Sequence, residues 1–109
     1  MNFRVRYTQG ARDDLHALYD FLLRHDAQAA ARALAAIREA VDLLRSFPFT
    51  CRKLDDSNPF LRELVISFGR SGYVALFEIE GDGRDKPITA AEPCVTILAI
   101  RHQREDDYY

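Results

Sequence analysis

From Phe3 to Tyr7 the chain alternates Phe3, Val5 and Tyr7 with Arg4 and Arg6, the two-residue period of a strand with one buried face. Thr8 then offers an N-cap for a helix to about Arg24, in which Ala11, Leu15, Leu18, Tyr19 and Leu22 share one side at three- and four-residue spacing. His25-Asp26 interrupts the period and Asp26 can cap again. A second helix is predicted to about Phe47, with Ala30, Leu34, Ile37, Val41 and Leu44 on its seam. The alanines between Ala27 and Ala36 favour helix and allow close approach, which predicts an antiparallel helical hairpin. Pro48 ends it by forcing residue 47 out of helical geometry.

Residues 49–60, with Asp55-Asp56-Ser57-Asn58-Pro59, carry the turn chemistry of a loop. Three strands are predicted beyond it: Leu61 to Phe68, Tyr73 to Glu80 after the turn Gly69-Arg70-Ser71-Gly72, and Cys94 to Arg101 after a polar loop from Gly81 to Pro87. A charged tail runs to Tyr109. The element order β-α-α-β-β-β gives an α+β fold: an N-terminal helical hairpin packed on one face of a mostly antiparallel four-stranded sheet. The other face reads as apolar too, with Val95, Ile97 and Ala99 on one side of the last strand and Leu98 and Ile100 on the other. Val74 and Leu76 likewise oppose Tyr73, Ala75, Phe77 and Ile79. Such a face is covered by self-association, by a partner segment, or by the chain's own loops and tail.

A length of 109 residues, 48% hydrophobic and 29% charged, fits a single globular domain over residues 1–109 and is too apolar for a disordered chain. The net charge of −2, with pI near 5.9, provides no global field toward a phosphate backbone, so no direct DNA binding is expected. Residues 1–47 carry seven Arg/Lys against six Asp/Glu, and residues 48–109 carry eight against eleven, so neither half is a basic arm. Cys51 and Cys94 are too far apart in sequence for a short metal-ligand spacing and read as reduced thiols. The N-terminus lacks the apolar run of a secretory signal and nothing approaches membrane-spanning length, which points to the cytoplasm.

The densest chemistry lies at the C-terminus, where Arg101, His102, Gln103, Arg104, Glu105, Asp106, Asp107, Tyr108 and Tyr109 are consecutive. An imidazole beside two guanidinium groups could serve acid–base catalysis and phosphate stabilisation, although a lone His among Arg and acids is more often a surface hydrogen-bonding residue. His16 and His25 have no metal spacing, and Ser46, Ser57, Ser67 and Ser71 no nucleophile context. No cofactor or metal is called for. Arg52, Lys53 and Arg62 form a small basic group that reads first as solvated surface and second as a polar or phosphate contact.

The segment from Phe60 to Ile79, followed by Val95 to His102 and Gln103-Arg104-Glu105-Asp106-Asp107-Tyr108, resembles the C-terminal half of RelE/ParE toxins. The element order extends that resemblance over nearly the whole chain. It implies the toxin of a type II toxin–antitoxin system, neutralised by a cognate antitoxin in a hetero-oligomeric complex. ParE-like members inhibit DNA gyrase by binding, and RelE-like members cleave messenger RNA on the ribosome. Ribonuclease members carry lysines on the strand before the hairpin and an arginine just after its Gly-Tyr; the corresponding positions here hold Val65, Ser67 and Val74. A ribonuclease would be left with Arg101, His102, Arg104 and Tyr109, beside acidic residues that repel RNA. The resemblance therefore favours the ParE-like branch with gyrase as target and no catalytic residues. Arg62, Val65, Val74, Leu76, Arg101, His102 and Arg104 are the candidate antitoxin- or target-binding residues.

Overall fold

The computed structural model describes residues 3–69, 72–80 and 93–103. Strand β1 (Arg4–Tyr7) leads into helix α1 (Gln9–His25) and helix α2 (Ala27–Asp42); 3-10 turns at Leu43–Arg45 and Pro48–Thr50 connect to β2 (Arg52–Lys53), β3 (Leu61–Ile66), β4 (Tyr73–Glu80) and β5 (Cys94–His102). The caps behave as their chemistry requires. Thr8 Oγ1 accepts from the Ala11 amide at 3.0 Å, and one Asp26 carboxylate oxygen accepts from Gln28 and Ala29. Asp26 also donates its own amide to Leu22 O at 2.7 Å, so a single residue closes one helix and opens the next.

The sheet has five strands in the order β1-β5-β4-β3-β2, where the sequence pattern predicts four. The extra strand is the two-residue β2, which pairs Arg52 with Glu63 and Lys53 with Arg62 inside the predicted loop. Two residues are too few to show a period. β1 runs parallel to β5, and the remaining pairs are antiparallel. The second helix ends at Asp42 rather than near Phe47, because its last turn tightens to 3-10 geometry at Leu43–Arg45. The strand predicted to reach Phe68 stops at Ile66.

Both helices cover the same side of the sheet. Ala11, Ala33, Ile37, Val41 and Leu44 pack there against Leu64, Ile66, Tyr73, Ala75, Phe77, Ile79, Val95, Ile97 and Ile100. Burying a side chain such as Phe77 or Ile37 contributes roughly 1.5–3 kcal/mol. The expected strict alternation of β5 is broken by a bulge: Leu76 pairs with Ala99 but Phe77 with Ile97, which leaves Leu98 as the extra residue. Ile97 and Ile100 therefore both join the helix-side core, and Ala99 turns away with Leu76. The opposite face is accordingly less apolar than the sequence suggests. Arg6 bridges to Glu80 at 3.0 Å and donates to Thr96, and Arg52 bridges to Glu63 at 2.7 Å. Between these charged rows lies a patch of Val65, Val74, Leu76 and Ala99.

The β3–β4 hairpin depends on glycine at two positions. Gly69 and Gly72 adopt φ of 62° and 105°. A Cβ on Gly72 would collide with the carbonyl oxygen of Ile66, whereas one on Gly69 meets nothing. Gly72→Ala should therefore cost roughly 2–4 kcal/mol from backbone strain plus overlap, and Gly69→Ala about 1 kcal/mol from strain alone. Urea unfolding of the two variants checks the ranking; equal losses would mean the collision is relieved.

Candidate functional site

β1 pairs with β5 only over Cys94–Ile97, because Thr8 turns the chain into α1. The edge of β5 beyond Ile97 would be bare without the first turns of that helix. The Thr8 amide donates to Ile97 O at 3.0 Å and its hydroxyl to Leu98 O at 3.3 Å. Asp14 Oδ2 accepts from the Ile100 amide at 2.9 Å and forms an ion pair with Arg101 Nη1. Arg101 and Asp14 are both largely sheltered, so this pair is less screened by solvent than a surface bridge.

These contacts set α1 alongside the C-terminal end of β5 and open a groove of about 650 Å³ between them. Ala17, Leu18, Phe21 and Leu22 form its helical wall. Tyr73, Ile100 and His102 form its sheet wall, with Asp14 and Arg101 at the boundary. Phe21 is 60% exposed and lies against the His25 ring, centroids 4.6 Å apart. His102 meets the Tyr73 ring edge-on, with centroids 5.5 Å apart, and Tyr73 stacks in turn on Phe68 at 6.0 Å. Burial pushes the Tyr73 phenol up from its ordinary 10.0, so it is a neutral hydroxyl at physiological pH and a poor base.

The candidate residues separate into three groups. Arg101 and His102 line the groove. Val65 and Val74 are cross-strand partners on the face away from the helices, and Val74 stands in register with Arg101. Val65 is 43% exposed and Val74 only 5%; Leu76 is half-buried one row along. Arg62 stands apart. Its Nε donates to Pro59 O at 2.7 Å, and its Nη1 donates to Phe49 O and Cys51 O at 2.7 and 2.8 Å, with the guanidinium carbon 5.2 Å from the Phe49 ring centroid. These bonds tie together the segment after α2, and its reading as a solvated surface cation is corrected. Arg104 and Tyr109 lie outside the described residues, as do the acidic residues 105–107. Sequence reasoning missed Asp14, Phe21 and Tyr73 as groove residues. Phe21 alone left a trace, as a large aromatic off the apolar seam of α1.

Among the described residues the site is an apolar trough with one imidazole, one neutral phenol and a guanidinium already matched by a carboxylate. Among the described residues no three His, Cys, Asp or Glu side chains could hold a metal ion, and no helix is long and apolar enough to cross a membrane.

Residues 5–107 match the family model described as the ParE toxin of the type II toxin–antitoxin system parDE. The chain belongs to the ParE toxin family. It is 33% identical over 81 residues, 74% of this chain and 84% of the relative, to "Toxin RelE1" of Caulobacter vibrioides. It also superimposes with a TM-score of 0.66 on a structure described as the chromosomal ParDE TA system from P. aeruginosa, at 23% identity over 92% of this chain and 95% of that one, a likeness of fold. This ParE-family chain is thus the toxin component of a type II toxin–antitoxin system, which implies a cognate antitoxin as its partner.

Two outcomes test the groove. Asp14→Asn keeps an acceptor for the Ile100 amide but removes the ion pair, and should cost about 1 kcal/mol, whereas Asp14→Ala orphans both partners and should cost about 2–3 kcal/mol. Denaturant titration of the two variants and of Arg101→Ala measures the coupling; additive losses in the double variant would show that the pair contributes nothing. Because burial disfavours phenolate, the folded state has its full advantage from Tyr73 below pH 10 and loses it as pH rises through the raised value. Tyr73→Phe should therefore unfold less steeply at alkaline pH than the parent chain, as followed by circular dichroism. A parallel decline would place that phenol in water.

Proposed function

We propose that this ParE-family toxin acts by binding DNA gyrase and carries out no RNA cleavage of its own. The observation that carries this reading is the Asp14–Arg101 ion pair. A ribonuclease must set an uncommitted cation beside its acid–base group to stabilise a pentacoordinate phosphorane. Here the guanidinium next to His102 is neutralised by a carboxylate held in turn by the Ile100 amide. The positions at which ribonuclease members carry cations hold Val65, Ser67 and Val74, and Tyr73 is a neutral phenol. What remains suits burial of an apolar partner segment: the groove between α1 and β5 and, on the far face, the exposed Val65 with the half-buried Leu76. Binding at one of these surfaces would allow the antitoxin to neutralise the toxin by occupancy.

Addition of the purified chain to gyrase and plasmid in vitro should accumulate cleaved or relaxed DNA, and pre-incubation with the antitoxin should abolish the effect. Expression in cells should produce no ribosome-dependent breaks when translated messages are mapped by primer extension, and His102→Ala should arrest growth like the parent. Unimpaired supercoiling together with codon-phased message cleavage that disappears in His102→Ala would overturn the reading in favour of a RelE-type endoribonuclease.

A further inference from the structure

A second cleft, of about 400 Å³, opens between β1 and the C-terminal half of α2 and shares no residue with the trough of His102 and Tyr73. Its two walls follow from two periods. Val5 and Tyr7 are alternate residues of β1 and pack together on the helix side of the sheet. Arg38, Val41, Asp42 and Arg45 recur at three- and four-residue spacing, so they form one stripe along α2 and its final 3-10 turn. The Phe3 amide donates to Arg45 O at 2.7 Å, which ties the start of the strand to the end of the helix and holds the walls together there. Val41 is buried, and Val5 and Tyr7 are half-buried, which gives the cleft an apolar floor below a charged rim.

The charges on that rim do not cancel. A helix ordinarily lets a cation meet a carboxylate four residues along, and Asp42 stands at that spacing from Arg38. Its carboxylate is instead taken by Arg45 Nε at 2.9 Å. Among the described residues Arg38 is left with no ion pair or hydrogen bond, Glu39 is likewise unpaired, and the Tyr7 hydroxyl has no hydrogen-bond partner. Burial pushes this phenol up, while Arg38 and Arg45 draw it back down, so both guanidinium groups act on its oxygen. A free phenol donor beside a cation without a counter-ion is complementary to an anionic oxygen. Glu39 on the same rim limits the charge that fits, because a second negative charge would be repelled.

We propose that this cleft binds a small organic monoanion, a carboxylate carried on a short branched apolar body. The carboxylate meets the Arg38 guanidinium and the Tyr7 hydroxyl, and the body lies on Val5, Val41 and the Tyr7 ring. Arg45, already matched by Asp42, adds positive field without requiring a partner of its own. A neutral amide of the same shape forfeits the ion pair with Arg38. A phosphate monoester, largely dianionic at neutral pH, keeps that pair but faces Glu39. The volume of the cleft lies in the range of small-molecule sites, and its use does not depend on whether the toxin acts on gyrase or on RNA.

The test uses the full chain labelled with nitrogen-15 and isovalerate as probe, with isovaleramide and isobutyl phosphate as its neutral and dianionic counterparts. Isovalerate should move the Val5, Tyr7, Arg38 and Val41 amide resonances saturably at millimolar concentration. Each counterpart should bind at least fivefold more weakly. Arg38→Gln and Tyr7→Phe should each weaken isovalerate by threefold or more while the remaining spectrum stays dispersed. Glu39→Gln should narrow the gap between carboxylate and phosphate, and Arg24→Gln on α1 should leave affinity unchanged. Shifts that do not saturate or are confined to the α1–β5 groove, equal binding of isovaleramide, or tighter binding of isobutyl phosphate would each overturn the proposal. So would unaltered isovalerate affinity in Arg38→Gln or an unchanged gap in Glu39→Gln. Neither gyrase inhibition nor RNA cleavage enters the readout, so its failure is separable from failure of the gyrase reading.

Discussion

β5 spans nine residues, and β1, its outer neighbour, spans four. That mismatch governs much of the molecule. A strand edge in the middle of a protein cannot leave its amides and carbonyls unmet, because each orphaned group costs on the order of a hydrogen bond's desolvation. The missing residues of β1 are replaced by the start of α1, with the Thr8 hydroxyl on Leu98 O and the Asp14 carboxylate on the Ile100 amide. The helix is thereby fastened along a strand edge, and α2 follows it across the sheet. The bulge at Leu98 belongs to the same accommodation: by adding a residue opposite Leu76/Phe77 it turns Ile100 back into the core at the point where β1 no longer supports the strand.

The polar fastening also determines what the adjoining groove can do. Asp14 meets the Ile100 amide and the Arg101 guanidinium with one oxygen, so the carboxylate that completes the sheet edge also neutralises the cation beside His102. An architecture that spends its arginine on its own helix leaves apolar surface as the principal means of recognition. Phe21, Leu18, Leu22 and Tyr73 provide it.

The helical hairpin was legible in the sequence because its signals are local. Thr8 and Asp26 cap where their side-chain chemistry says they should. The seam of Ala30, Ile37, Val41 and Leu44 is buried as its spacing requires, with Ala33 joining it and Leu34 only half-buried. Four of the strands were legible for the same reason. β2 was not, since two residues carry no period, and neither was the bulge, which depends on the partner strand as much as on β5. The groove was half visible. Arg101 and His102 attracted notice as titratable neighbours, but the carboxylate that engages Arg101 lies 87 positions earlier, and only folding brings it there. Arg62 shows the converse: a cation that reads as surface is committed to three backbone carbonyls.

Asp26 belongs to both helices at once. Its amide terminates the first through Leu22 O, its carboxylate begins the second, and its φ of −163° is ordinary extended backbone that needs no glycine. The joint accordingly has no slack. One additional residue there would rotate everything downstream by about 100° about the helical axis, swinging Ala30, Ala33, Ile37 and Val41 off the sheet and putting Ala29, Arg32, Ala36 and Ala40 in their place. A change in chain length is thus costly at this elbow and better borne by segments such as the turns between Leu43 and Phe60, where it leaves the two helices in phase.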